Sequence, residues 1–208
     1  MNNKNSEKCC SVNIELTTSE EYWNNQYKAN STGWDLGQVS PPIKEYIDQI
    51  SNKDLSILIP GCGNSYEAAY LLESGFTNVN IIDISSMLVG QLNKKFNSNP
   101  NINIIHGDFF QHQGEYDLII EQTFFCAIEP SLRKKYVSKM NELLIKNGRI
   151  AGLLFDREFE KQGPPFGGNK SEYINLFEKA FAIKHLSPCY NSYPKRKDTE
   201  LFILFNKK

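Results

Sequence analysis

From residue 55 onward, short apolar runs alternate with segments whose apolar residues recur at helical spacing. The runs 55–59, 78–82, 102–106, 116–121 and 149–155 have the length and branched or aromatic content of strands. Between them, 65–73, 86–96 and 131–144 carry the helical pattern. Gly75 stops the first of these helices, and Asn147-Gly148 makes a turn after the third. After a loop over 156–169 come a helix over 171–181 and two last strands, 182–186 and 200–205. Strands separated by single helices build a mostly parallel sheet covered on both faces. The pattern therefore predicts an α/β protein with seven strands.

The first fifty residues are organised differently. Residues 1–16 are polar and read as a flexible arm, so that 17–208 form one domain whose segment 17–50 is a helical cap. Thr18-Ser-Glu-Glu21 has the form of a capping box opening a helix to residue 29, with Tyr22, Trp23 and Tyr27 at helical spacing. A Gly-rich link follows over 31–37, and Pro41-Pro42 starts a second helix running to residue 50.

Composition narrows the function classes. A chain of 208 residues, 40% hydrophobic and 23% charged, suits a single globular domain with a full core. The net charge of -1 supports neither a nucleic acid nor an anionic membrane as partner. Tyr193-Pro-Lys195-Arg196-Lys197 and Lys207-Lys208 read as a solvated loop and a polar tail. No apolar run approaches the ~20 residues that span a bilayer, and residues 1–11 lack the apolar stretch of a secretion signal. Cys9, Cys10, Cys62, Cys126 and Cys189 are scattered, as are His106, His112 and His185, so neither a disulfide frame nor a metal site is expected. A monomer in a reducing cytoplasm fits best.

The sharpest chemistry lies where the first strand-like run ends in Pro60-Gly61-Cys62-Gly63 and the second ends in Asp83. In a βαβ unit such a turn brings bare backbone N–H groups to a ligand, and the acid accepts from a ribose diol. Tyr66 stands where a dinucleotide-binding domain carries its third glycine, which disfavours a nicotinamide-dependent oxidoreductase. His106-Gly107-Asp108-Phe109-Phe110 adds an acid and an aromatic after the third strand, suited to an adenine edge and face.

Four blocks then occur in order: Gly33-Trp34-Asp35-Leu-Gly37-Gln-Val-Ser-Pro41, Pro60-Gly-Cys-Gly63, Thr123-Phe-Phe-Cys-Ala-Ile-Glu-Pro130 and Gly163-Pro-Pro-Phe166. Together they closely resemble the thiopurine S-methyltransferase family, and especially its halide and thiol methyltransferase branch. The resemblance implies a Rossmann-like class I methyltransferase fold, a last strand inserted antiparallel, and S-adenosylmethionine as cofactor. It implies that Trp23, Tyr27 and Trp34 close over the cofactor, that Gly61 and Gly63 form its turn, and that Asp83 binds ribose. Asp108 and Phe109 then hold adenine, and Gln122 stands at a cofactor-contacting position where relatives carry tyrosine or arginine. Ile59 replaces the acid frequent in the wider class, in keeping with this family's apolar form of the turn.

Methyl transfer from a sulfonium is an in-line displacement that needs alignment and a dry site. Trp34, Phe124, Phe125 and Phe166 are the candidate wall, with 163–166 arching over the acceptor. An anionic nucleophile needs no base; for a thiol, Glu121, Asp35 and Arg157 are the candidates to assist. Blander readings stand beside these: Phe124 and Phe125 as core, Trp23 and Tyr27 as helix packing, Asp35 as a tie within its loop, Asp83 as a helix cap, and Cys62 and Cys126 as buried filler. The acceptor expected is a small soft nucleophile (thiol, hydrosulfide, thiocyanate or halide). The alternatives are an aromatic thiol such as a thiopurine, or a non-catalytic nucleoside-binding protein.

Overall fold

The computed structural model describes residues 19–160 and 163–208; the expected arm and the Cys9-Cys10 pair lie outside these. Two helices lead, α1 (Glu20–Lys28) and α2 (Pro41–Asp48). Then follow β1 (Ile57–Pro60), α3 (Tyr66–Glu73), β2 (Val79–Asp83), α4 (Ser86–Phe96), β3 (Ile102–His106) and β4 (Tyr116–Gln122). The chain ends with α5 (Arg133–Leu143), β5 (Leu144–Phe155), α6 (Lys170–Phe177), β6 (Phe181–Pro188) and β7 (Glu200–Lys207).

The seven strands form one sheet in the order β3-β2-β1-β4-β5-β7-β6. The first five run parallel, and β7 inserts antiparallel between β5 and β6. Strand alternation divides the core between two faces. Ile57 and Ile59 of β1, Val79 and Ile81 of β2, and Leu118 and Ile120 of β4 meet Ile43, Ala68, Leu71 and Leu88 of α2, α3 and α4. Leu58, Ile82 and Ile119 point the other way, onto Tyr136, Met140, Tyr173 and Phe177 of α5 and α6. Burying each such side chain contributes about 1.5–3 kcal/mol, so the faces fix which strand ends lie side by side.

Several boundaries differ from expectation: α6 ends at Phe177 rather than at residue 181, where β6 already begins, and two further differences are instructive. Helix α1 is capped by Ser19, whose Oγ accepts from Tyr22 N–H at 3.4 Å; tyrosine therefore occupies the position a capping-box glutamate would hold. Strand β5 begins at Leu144 rather than after the Asn147-Gly148 turn. Leu144 already pairs with Tyr116, and the next match, Leu118 with Arg149, lies beyond an excursion in which Asn147 is left-handed at φ 66°. The turn residues thus make a bulge within the strand instead of a break before it.

Candidate active site

A cavity of about 510 Å³ opens at the carboxyl ends of β1, β2 and β4, under α1 and the link to α2. Gly61 and Gly63 follow β1 with φ of 56° and 51°, a region that suits glycine. A Cβ on Gly61 would stand 2.2 Å from the Phe124 ring, so space as well as conformation demands glycine there. Asp83 ends β2 and takes Gly63 N–H at 3.3 Å and Ser85 N–H at 2.9 Å on its two oxygens. Burial pushes its carboxyl up to about 6, against the pull of those N–H groups. Asp83 does not cap α4; Ser85 does, accepting from Leu88 N–H at 3.2 Å. Beyond β3, Asp108 accepts from Phe110 N–H at 2.8 Å and opens a single helical turn that buries most of Phe109. Asp83, Asp108, Phe109 and Gln122 all line the cavity, and Gln122 Oε1 is buried there with no hydrogen-bond partner.

The roof is aromatic. No residue of α1 is fully buried, yet Trp23 and Tyr27 line the cavity and meet Trp34 edge-on at 5.5 and 5.8 Å. Burial raises the Tyr27 phenol, leaving a neutral hydroxyl. The helix is fastened to the body by Asn24, whose Oδ1 accepts from Ser85 Oγ at 2.6 Å and Met87 N–H at 3.2 Å. Asp35 accepts from Gly37 N–H at 2.8 Å, from the Asn64 amide and from the Tyr66 hydroxyl, so it ties the Gly-rich link to the glycine turn.

Beyond β4 the two phenylalanines part. Phe124 lies on Gly61, meets Phe109 edge-on at 5.1 Å and lines the cavity. Phe125, 2% exposed, turns into the core against Tyr136 at 5.1 Å, Tyr173 at 5.6 Å and the Arg133 guanidinium at 4.7 Å. It is packing, not wall. Phe166 is not a lining residue either: its N–H donates to the Cys126 carbonyl at 2.7 Å, and Pro164 and Pro165 present the loop to the cavity. Glu121 is 1% exposed and faces away; it accepts from the N–H groups of Phe124 at 2.8 Å and Phe125 at 2.9 Å and from the Tyr136 hydroxyl. Burial pushes its carboxyl up to about 7. Burial also raises the Cys62 thiol and pushes that of Cys126 up to about 12, so both are neutral filler at the cavity edge.

Arg157 lines the cavity as well, but the cation that sequence reasoning missed is Arg196. Far from solvated, it is 8% exposed. Its Nη2 donates to the Trp34 carbonyl at 2.6 Å, its Nη1 pairs with Glu200 at 3.4 Å, and its guanidinium lies 5.5 Å from the Phe155 ring centre. The only local signal was Glu200 four residues on, within a run that reads as surface.

The family model for thiopurine S-methyltransferase matches residues 18–205. The chain belongs to the thiopurine S-methyltransferase family. A probable thiol methyltransferase 2 of Arabidopsis thaliana is 34% identical over 156 residues, covering 73% of this chain and 69% of the relative. Thiocyanate methyltransferase 1 of the same plant is 29% identical over 193 residues, covering 90% and 85%. A thiopurine S-methyltransferase of Acinetobacter baylyi is 24% identical, covering 80% and 87%. Among solved structures, 1,6-didemethyltoxoflavin-N1-methyltransferase of Burkholderia thailandensis, with S-adenosylhomocysteine bound, superposes with a TM-score of 0.74 at 16% identity, covering 91% and 87%. That likeness shows the fold, which is the Rossmann-like class I methyltransferase fold expected from the four blocks. Membership of the thiopurine S-methyltransferase family makes this an S-adenosylmethionine-type methyltransferase chain and removes the oxidoreductase reading that Tyr66 had disfavoured.

Proposed function

We propose that the chain transfers the methyl group of S-adenosylmethionine to a small soft anion (a thiolate, hydrosulfide, thiocyanate or halide). The cavity suits the cofactor: a turn free of side chains at Gly61 and Gly63, the carboxyl of Asp83 for a diol, Asp108 and Phe109 for a base, and Gln122 in the wall. When bound, the cofactor supplies an electrophilic methyl group and a leaving group that needs no proton. Trp23, Tyr27 and Trp34 exclude water above it, and aromatic faces stabilise a cationic sulfur by ~0.5–2 kcal/mol.

The observation that carries the acceptor reading is the wall beyond the glycine turn. It includes Phe124, Phe155, Pro164 and Pro165 beside the cations of Arg157, Lys195 and the buried Arg196, while Glu121, the acid one residue before the end of β4, faces away. A wall of rings strips the hydration shell from a soft anion and so raises its reactivity. Arg196, paired with Glu200, adds a buried guanidinium to that wall, and holding nucleophile and methyl carbon in line is worth up to ~7–11 kcal/mol in intramolecular comparisons. An acceptor arriving already ionised asks for no base. The net charge of -1 suits a small molecule better than a nucleic acid, and we read the active unit as a monomer.

The test is headspace detection of methylated product from S-adenosylmethionine with iodide, thiocyanate, hydrosulfide and, separately, an aromatic thiol. Turnover of the small anions is expected. Turnover of the aromatic thiol alone moves the chain to the thiopurine side of the family. No product from any of them, with S-adenosylhomocysteine still bound, leaves a nucleoside-binding protein with a different acceptor or none.

A further inference from the structure

Glu121 is a buried acid one residue from the cavity wall that methyl transfer, as read above, leaves unused. The chain leaves β4 through Thr123 at φ 60°. A β-branched residue takes that left-handed conformation only where its surroundings impose it. Here the surroundings are the Glu121 side chain. Its Oε1 receives the next two backbone N–H groups, those of Phe124 at 2.8 Å and Phe125 at 2.9 Å, and closes the turn from beneath. Its Oε2 receives the hydroxyl of Tyr136, which lies in α5 at 1% exposure. Strand β5 makes room with Gly152, where a Cβ would stand 2.2 Å from the Glu121 carbonyl oxygen and 2.5 Å from its own Cβ. On the far side of the turn, Thr123 and Phe124 line the cavity while Phe125 anchors in the core.

We propose that Glu121 is a positioning residue for methyl transfer: its carboxylate, braced by Tyr136, fixes the left-handed turn at Thr123 and so sets where Thr123 and Phe124 meet the acceptor. This rests on the reading that the wall beyond β4 faces the acceptor. A carboxylate with three donors and no access to the cavity takes no proton from substrate, so charge at this site is dispensable while an oxygen for the two N–H groups is not. Glutamine keeps that oxygen; alanine does not.

The experiment compares Glu121→Ala, Glu121→Gln and Tyr136→Phe in the full chain, with thiocyanate and hydrosulfide as acceptors. Glu121→Ala is expected to lower acceptor kcat/KM at least thirtyfold and Tyr136→Phe about fivefold, as order-of-magnitude losses for three hydrogen bonds and for one. Glu121→Gln should stay within about threefold of the native chain, and all three should bind S-adenosylhomocysteine within about threefold. Glutamine as damaging as alanine overturns the proposal, because it makes the charge itself essential. So does a loss shared equally by acceptor kinetics and nucleoside affinity. If the alanine variant does not fold, native turnover in Tyr136→Phe overturns it and a selective loss there supports it. Should the native chain methylate neither acceptor, the functional reading has failed. Amide hydrogen exchange then decides: faster exchange at Phe124 and Phe125 in Tyr136→Phe supports the proposal, and unchanged exchange overturns it.

Discussion

The two halves of the cavity are built by different means. On the side proposed for the cofactor, Gly61, Gly63, Asp83 and Asp108 stand at or just beyond strand ends, and the two acids bond backbone groups two residues away or on the neighbouring turn. On the side proposed for the acceptor the wall comes from segments distant in sequence, with Phe124 and Cys126, Phe155 and Phe159, Pro164 and Pro165, and Arg196 and Thr199 among its residues. The first half is a property of the strand-turn-helix unit, which any nucleoside-using relative can share. The second is not fixed by that unit, and relatives of this chain are named for different acceptors: thiol, thiocyanate and thiopurine.

The phenylalanine pair gives the sharpest way to break this division. Phe125→Ala is expected to cost about 3–5 kcal/mol in urea unfolding, because it empties a packed core site. Phe124→Ala should cost far less stability and lose acceptor turnover instead. Equal destabilisation by the two changes would sink the assignment of one ring to the wall and one to the core.

Next in size is Asp83→Asn. Losing charge-assisted acceptance from a ribose diol should weaken S-adenosylhomocysteine by about 2 kcal/mol, roughly thirtyfold, in titration calorimetry at pH 7.5. Acceptor KM at saturating cofactor should hardly move; a comparable rise there would show the halves to be coupled.

A pH series sharpens the same point. With its carboxyl pushed up to about 6, Asp83 is largely protonated at pH 5, and the diol-binding role proposed for it requires the ionised form. Nucleoside affinity should therefore rise up to about tenfold per pH unit below 6 and level off above 7, while Asp83→Asn stays flat. The same raised values act on the fold with the opposite sign. Asp83 (about 6) and Glu121 (about 7) favour their protonated forms in the folded chain, so their contribution to stability is full in acid and is lost as pH rises from about 4 through 7. A Tm that falls less steeply over that range in Glu121→Gln than in the native chain is the matching observation.

The smallest effect concerns the fastening of the roof. Asn24→Ala removes the acceptor that Ser85 and Met87 share and should cost about 1 kcal/mol of closure, seen as about fivefold faster release of S-adenosylhomocysteine in surface plasmon resonance. Unchanged release would mean that the Trp23, Tyr27 and Trp34 rings hold the roof without it.

The same division governs what the sequence made legible. The strand-helix alternation, the glycine turn and the acids at strand ends are local signals, and all are present in the expected order, with element bounds shifted by up to five residues. Phe124 and Phe125 could not be told apart because Thr123 leaves the strand at positive φ, which breaks the two-residue alternation that sorts inward from outward. Arg196 was misread because its burial depends on the carbonyl of Trp34, 162 residues away, and a Lys-rich run carries no trace of that contact. The Ser19 cap was misplaced by one residue because serine and threonine stand side by side, and either can cap.

The aromatic roof has a practical consequence. The chain contains two tryptophans, Trp23 and Trp34, and both line the cavity with their rings 5.5 Å apart. Its indole emission therefore arises wholly from the roof of the site. Filling or emptying of the cavity is expected to change that emission, a readout that needs neither a label nor an acceptor.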